Sequence, residues 1–288
     1  GPCRVLEVFE NLTADRKITS FLFTDIVDAL FVKFDIVCRN RLCQMDHSRR
    51  NIAALHIPGN AKRIQKIRQM PLTAPNFPEV AFATYPGVEL EDAPSNMWQQ
   101  LNLPGHRQMF FLTGVLAGMM TESDVIGFVG GIELTTYVEG MKSFEVGAKW
   151  ANPDATVLIV WTGDFDDAPK AKEATISHLE QGADVIAHAT NLGVYGIIEA
   201  IEDREDVYFI GKDVDQSPLL PERTLTSMYI NYARGMQYIL PQVAEGQLGG
   251  VYTMNLADNS VVVTDLGPSV PEEIADSWYA IKEMVSSE

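Results

Sequence analysis

From Phe77 onward, short apolar runs alternate with segments of helical periodicity. The last segment is the clearest helix, because its apolar residues between Ile274 and Val285 recur every three or four positions. Alternation of this kind predicts an α/β fold, in which a parallel sheet is covered by helices on both faces. The predicted strands are VAFAT (80–84), DVIGFVGG (124–131), TVLIVWTG (156–163), ADVIAHAT (183–190), DVYFIG (206–211), LTSMYI (225–230), GVYTMNL (250–256) and SVVVTDL (260–266), and the predicted helices include 107–121, 167–180, 195–202 and 232–245.

Polar, glycine-containing segments follow four of these strands. In open parallel sheets, ligands bind beyond the carboxyl ends of the strands. Asp213 and Asp215 are the strongest candidates for ligand contact, because two acids after a buried strand suit charge-assisted hydrogen bonds to hydroxyl or amino groups. The segments that form the candidate site are 130–133, 162–165, 190–193 and 211–216.

Three other features near these strand ends each have two interpretations. Gly130-Gly131 either lets a ligand approach the backbone closely or marks a tight strand exit. The acids at 164, 166 and 167 either form a metal or hydroxyl site or cap the helix that follows. His188 lies inside a predicted strand, where we interpret it as a satisfied buried residue rather than a catalytic base.

The composition limits the classes of function. A chain of 288 residues that is 46% apolar buries a sizeable core, which excludes a disordered protein. Its net charge of −17 repels phosphate backbones, so we expect no nucleic-acid partner. The sequence contains no nucleophile elbow, Walker loop or H-E-x-x-H motif. No apolar run reaches the ~18–20 residues of a membrane span. We therefore predict a protein that is not an enzyme and that uses no cofactor or metal.

Residues 1–75 differ from the rest of the chain. Their net charge is +5, against −22 for residues 76–288, and they contain all three cysteines. The cysteine spacing suits neither a complete set of disulfides nor a metal site, so we interpret the thiols as unpaired. Alternatively, Cys3 is a lipid-attachment site left after removal of a signal peptide, and the chain touches a membrane only through that anchor. No signal peptide is visible, and the preceding Gly-Pro equally fits a tag remnant.

Between Phe77 and Pro268 the chain resembles the basic membrane protein family, the substrate-binding lipoproteins of ABC transporters that include purine nucleoside receptors. The resemblance implies a type I periplasmic-binding-protein fold, with two doubly wound parallel-sheet lobes and a ligand cleft between them. We expect lobe 1 to comprise 1–121 and 231–255, with 1–75 atypical, and lobe 2 to comprise 122–230 and 256–288. The segments that carry the resemblance, in order, are NFPEVAFA, FFLTGVLAGMM, VIGFVGG, ANPDATVLIVWTGDFDDAPKAKEA, QGADVIAHAT, GVYGIIEAI and FIGKDVDQSPLLPERTLTS.

The resemblance also implies a set of ligand contacts. Asp213 would hold a ribose hydroxyl, and Asn191 occupies a turn that is usually glycine-rich in the family. Tyr137, or alternatively Phe144, lies where an aromatic ring would stack on a purine. The predicted ligand-binding residues are Asp213, Asn191, Tyr137, Tyr85 and Asn231.

Three polar features expected from the family are missing. Ile230 stands where the family commonly has a lysine that reaches the ribose, and Pro86 stands where it usually has an acid. The family's early Asn-Asp segment is not recognisable in residues 1–75. These departures leave a nucleobase or another small polar solute as an alternative to a nucleoside.

Two functions follow from the resemblance. The first is a receptor that captures a small solute, with a purine nucleoside or nucleobase preferred, and presents it to an ABC permease in the periplasm or at the outer surface of the cell membrane. The alternative is a ligand-sensing module of the same fold, attached to a signalling domain such as a nucleotide cyclase. KITSFLFTDIV (17–27) favours the alternative, because it resembles the first strand of class III nucleotide cyclases, with Asp25 at the metal-binding position.

Overall fold

A computed structural model describes residues 36–39, 70–87 and 89–287. Its strands are β1 (Ile36–Arg39), β2 (Val80–Thr84), β3 (Met97–Leu101), β4 (Val125–Gly130), β5 (Thr156–Trp161), β6 (Val185–Ala189), β7 (Tyr208–Lys212), β8 (Thr224–Ile230), β9 (Gly250–Thr253) and β10 (Val261–Val263). Its helices are α1 (Met70–Thr73), α2 (Leu103–Met120), α3 (Thr135–Ala151), α4 (Ala168–Glu180), α5 (Val194–Ile201), α6 (Tyr232–Ala244) and α7 (Glu272–Ser286). Short 3₁₀ turns lie at Ala74–Asn76 and Ser217–Leu219.

The described chain forms two compact units, each with its own sheet. One, the six-stranded unit, comprises residues 103–231 and 254–287. The other, the four-stranded unit, comprises residues 36–39, 70–87, 89–102 and 232–253. Within the described residues, the chain therefore crosses between the units three times.

The sheet of the six-stranded unit has the order β10-β8-β7-β6-β4-β5. Strands β4 to β8 run parallel, and β10 pairs antiparallel with β8. The chain passes from β4 to β5 on one side and then to β6, β7 and β8 on the other. This is a doubly wound sheet whose direction reverses between β4 and β6, the switch point at which such sheets bind ligands.

The sheet of the four-stranded unit has the order β1-β2-β3-β9. Strands β2, β3 and β9 run parallel, whereas β1 pairs antiparallel with β2. Trp98 of β3 is 1% exposed and packs beneath α6 against Ile239 and Val243. Its indole N–H donates to the Gln247 carbonyl at 3.2 Å, so the largest side chain of this core is also fixed in orientation.

Helix α2 belongs to the six-stranded unit, whereas the sequence-based boundary at 121 placed it in lobe 1. Glycines explain the grouping, because they bring α2 and α3 into backbone contact. A Cβ at Gly114 would lie 2.0 Å from the Phe144 carbonyl oxygen, and one at Gly147 would lie 2.2 Å from that of Phe111. Such close packing ties α2 to the helix that follows β4.

The alternation predicted from sequence is observed from β2 to α7, with small shifts at the element ends. Within this range β3 and α3 were not predicted, and β1 and α1, which precede it, were not predicted either. The cyclase-like segment with Asp25, and Cys3, lie outside the described residues. Within the described part of the chain, no helix has both the length and the apolar character needed to cross a bilayer.

Candidate functional site

The loops after β5 and β6 meet in front of β4, at the switch point of the six-stranded sheet. The Phe165 carbonyl accepts hydrogen bonds from the backbone N–H groups of Asn191 at 2.9 Å and Gly193 at 3.0 Å. The side chain of Asn191 is exposed and that of Phe165 is partly exposed. This edge therefore presents an amide and an aromatic ring where a parallel sheet of this order binds its ligands.

The paired glycines after β4 make room for aromatic side chains. A Cβ at Gly130 would lie 2.1 Å from the Trp161 ring, and one at Gly131 would lie 2.2 Å from the Phe165 ring. Both distances are shorter than any tolerable contact. Rings of the protein itself thus approach the backbone where these glycines lack a Cβ. The Phe165 ring is held in this way over the backbone at the end of β4.

A buried ion pair lies at the end of β7. The Lys212 side chain is 3% exposed, and its ammonium donates to the carboxylate of Asp213, which is 33% exposed. Asp213 has a φ of +73°, and its backbone N–H donates to the Met228 carbonyl at 2.9 Å. Burial by itself lowers the pKa of Lys212, but Asp213 and Tyr137 outweigh it and hold that pKa above its ordinary value. Lys212 is therefore charged at neutral pH.

Tyr137 lies in the first turn of α3 and is only 4% exposed. The Lys212 Nζ atom is 4.8 Å from the centre of its ring, and the Phe165 and His106 rings lie at 5.4 Å and 5.8 Å. Phe144, the alternative stacking residue, is fully buried and packs 5.6 Å from Phe128 in the core. Phe165 therefore exposes more ring surface at this edge than either aromatic residue predicted to stack.

A buried hydrogen-bond network holds the loop after β7 in place. The Gln216 side-chain oxygen accepts from the Lys212 backbone N–H at 2.9 Å and from His188 Nε2 at 2.8 Å. His188 Nδ1 accepts from the Thr190 N–H at 3.2 Å, which fixes the neutral tautomer. Burial lowers the pKa of His188 to about 4, so the ring is neutral at physiological pH. The interpretation of His188 as a satisfied buried residue is confirmed.

The acids at 164, 166 and 167 serve the backbone. Asp167 caps α4 by accepting from the Lys170 N–H at 3.0 Å, as one of the two interpretations predicted. Asp164 accepts from the Asp166 N–H at 2.9 Å, and Asp166 accepts from the Leu192 N–H at 3.2 Å. Among the described residues, no group of three or more His, Cys, Asp or Glu side chains is arranged to hold a metal ion.

The other two predicted contacts lie elsewhere. Asn231 follows β8 at the same sheet edge, and its N–H donates to the Ser260 carbonyl at 2.9 Å. Tyr85 follows β2 in the four-stranded unit and is 1% exposed, with its ring edge-on to Tyr232 at 4.8 Å. Burial raises the pKa of Tyr85, and a hydrogen bond with Gln100 partly offsets that rise. The six-stranded unit thus brings Tyr137, Asn191, Asp213 and Asn231 to one edge, whereas Tyr85 belongs to the other unit.

The sequence analysis placed Lys212 and Phe165 inside candidate segments but gave neither residue a role of its own. A lysine inside the apolar run DVYFIGK is a detectable signal, since a strand buried on both faces seldom holds an unpaired ammonium. Phe165 stands among three acids, where it was passed over as part of a capping loop. Its position opposite Gly131 depends on the sheet order, which the sequence does not give directly.

This doubly wound architecture is that of the solute-binding proteins with the type I periplasmic-binding-protein fold. It aligns with the ABC transporter solute-binding protein of Conexibacter woesei at a TM-score of 0.60 and 25% identity, over 76% of this chain and 73% of that one. The fold class predicted from sequence is confirmed.

The chain belongs to the Bmp family, described as ABC transporter substrate-binding proteins that are PnrA-like, whose model matches residues 72–283. It is 34% identical to basic membrane protein A of Borreliella afzelii over 130 residues, 45% of this chain and 40% of that protein. It is 26% identical to a purine-binding protein of Brucella abortus over 159 residues, 54% of this chain and 42% of that protein. The chain thus spans less than half the length of these relatives. The family predicted from sequence is confirmed.

Proposed function

We propose that the protein is a receptor that captures a small polar solute at the carboxyl edge of the six-stranded sheet, with a purine nucleoside or nucleobase preferred. The observation that carries the proposal is Asp213, a charged carboxylate one-third exposed at the end of a buried strand. A carboxylate held in this way accepts strong hydrogen bonds from a sugar hydroxyl or a base N–H. The family description supports a substrate-binding receptor, and the purine-binding relative supports this class of ligand.

The neighbouring side chains suit the remaining contacts of such a ligand. Phe165 offers a partly exposed ring at the switch point, and we assign it the stacking role expected of Tyr137. Tyr137 supports it from below, with ring centres 5.4 Å apart. Asn191 is exposed beside the ring and supplies an amide that both donates and accepts. Asn231 remains a candidate contact at this edge, and Tyr85 of the other unit stays a prediction from sequence.

A ligand panel tests the class. The purified protein is screened by thermal shift against adenosine, guanosine, inosine, hypoxanthine, ribose and amino acids, and each hit is then measured by calorimetry. A ligand present at a hundredfold excess over its Kd stabilises the folded state by about 2.7 kcal/mol. We expect a purine nucleoside or base to give the largest shift. A shift with sugars or amino acids alone would retain the receptor function and reject the purine.

Asp213→Ala tests the central residue. We expect this change to weaken binding of the best ligand by about 1.5–3 kcal/mol, the value of a hydrogen bond to a charged group, and calorimetry measures it directly. Glu222→Ala is the matched control, because it removes an exposed acid from the turn before β8, at the opposite edge of the sheet. Equal affinities of the two variants would remove Asp213 from the site.

The proposal extends to the partner and the compartment. A protein of this family that binds a solute without chemical change delivers it to an ABC permease on the outer side of the cell membrane, held there by a lipid anchor or free in the periplasm. Fractionation of cells that express the full-length gene, followed by blotting, tests the compartment. Recovery of the protein in the cytoplasm alone would contradict delivery to a permease and favour the sensing alternative.

A further inference from the structure

We propose that Lys212 sets the charge of the ligand, so that the site takes uncharged, hydroxyl-bearing solutes and rejects cationic amines. This inference rests on the proposed function of the same edge. Lys212 contacts Asp213 from inside the protein. It would therefore determine specificity through Asp213, without contacting the ligand itself.

The first step is the burial of the ammonium. Lysine normally keeps its ammonium in water while its methylene stem packs against apolar surface. In this protein Lys212 ends the buried strand β7, and its side chain is only 3% exposed. Removing an ammonium from water is strongly unfavourable unless a counter-charge and hydrogen bonds replace the solvent. Lys212 therefore needs Asp213.

The second step is the backbone that permits the pair. Consecutive residues in a strand point to opposite faces of the sheet. Asp213 leaves the strand with a φ of +73°, a conformation that is uncommon for residues other than glycine but better tolerated by Asp and Asn. This turn ends the strand and allows its carboxylate to meet the ammonium of the residue before it. The Tyr137 ring lies on the ammonium as well, 4.8 Å from Nζ.

The third step is the charge that a ligand meets at this edge. Within the candidate segments 130–133, 162–165, 190–193 and 211–216, Lys212 is the one lysine or arginine. The acids at 164, 166 and 215 are exposed, and each already accepts from a backbone N–H. Water and salt screen them far better than they screen a buried ammonium. Asp213 thus remains a strong acceptor for a hydroxyl, while its charge is compensated from behind.

A cationic ligand would meet the Lys212 ammonium across the shared carboxylate. Two positive charges on either side of one carboxylate repel each other in a partly buried site. Specificity of this kind depends on the repulsion of the wrong ligand as much as on the attraction of the right one. An uncharged hydroxyl gains the hydrogen bond without the repulsion. Lys212 therefore favours a neutral sugar or base over an amine of the same shape.

The experiment compares adenosine with 5′-amino-5′-deoxyadenosine, which places an ammonium where the parent has a hydroxyl. We expect the wild-type protein to bind adenosine at least roughly tenfold more tightly by calorimetry, and Lys212→Met to narrow that ratio by about tenfold or more. Lys149→Met is the control, since it removes the same charge from a side chain that is 50% exposed on α3. We expect the ratio of the two affinities in this control variant to stay at the wild-type value.

The ratio of affinities separates selectivity from general damage, because a disturbed fold weakens both probes alike. Lys212→Met combined with Asp213→Asn removes both charges and keeps both shapes, and we expect the preference for adenosine to return. The inference is overturned, and the proposed function is not, if Lys212→Met leaves the ratio of the two affinities unchanged. The same holds if the wild-type protein binds the amine more tightly than adenosine. Failure of the wild-type protein to bind either probe overturns the proposed purine ligand, and the inference with it.

Discussion

Arg223 holds the end of α5 through hydrogen bonds to backbone carbonyls. Its guanidinium donates to the carbonyls of Ile201 at 2.9 Å, Glu202 at 2.7 Å and Val207 at 3.1 Å, and also to that of Arg204. They lie at the helix end and in the turn after it, where few N–H groups remain to pair with carbonyls. Those of Ile201 and Arg204 also accept from backbone N–H groups, at 3.0 Å and 3.4 Å, and Arg223 adds a second donor to each. We expect Arg223→Ala to lower the free energy of unfolding by roughly 2–3 kcal/mol in a urea titration, because these carbonyls lose a donor.

Arg204→Ala is the control for that prediction. It removes the same charge from an exposed position in the same turn, and we expect a change within about 0.5 kcal/mol. Equal stability of the two variants would show that Arg223 contributes only its charge. No sequence pattern predicts this role, because the carbonyls that Arg223 reaches lie 16 to 22 positions away in the chain.

The packing of α2 on α3 depends on glycine at the points of closest approach. Helix propensity alone predicts that Gly114→Ala would stabilise α2 by up to about 1 kcal/mol. The structure predicts the opposite sign, because the new Cβ would lie 2.0 Å from the Phe144 carbonyl oxygen and the helices must separate. We expect a loss of about 1–3 kcal/mol by chemical denaturation, and a larger loss for Gly114→Val. A more stable Gly114→Ala variant would refute this packing.

The same two helices show how far the sequence predicts the fold. Buried strands such as β6 are recognisable as continuous apolar runs, and α4 is recognisable from its capping acid and early proline. Helix α3 was not predicted, because five charged or glycine residues between Glu139 and Gly147 interrupt its apolar spacing. Its partners are Phe110, Phe111 and Phe128 of other elements, and that tertiary contact decides its conformation. The strand ends that form the site were predictable; the ion pair behind them was not.

At the scale of the folded protein, His178 and His188 couple stability to pH, because both are buried and neutral. His178 is 1% exposed, and within the described protein neither of its ring nitrogens has a hydrogen-bond partner. Burial lowers the pKa of His178 to about 4, and that of His188 also to about 4. The ordinary histidine pKa is about 6.5, so the unfolded chain binds more protons than the folded one between these values. Stability is therefore greatest above about pH 6.5 and falls as the pH falls toward 4.

His178→Leu tests this coupling. Each histidine accounts for a loss on the order of 3 kcal/mol between pH 6.5 and pH 4. Leucine removes the proton-binding group and leaves no hydrogen bond unmade, because the imidazole makes none among the described residues. We expect urea titrations to show a loss of stability between pH 7.5 and pH 4.5 that is smaller than in the wild type by about 2–3 kcal/mol, with stability at pH 7.5 equal or higher. A pH dependence identical to wild type would mean that water reaches His178 and that its pKa is not depressed.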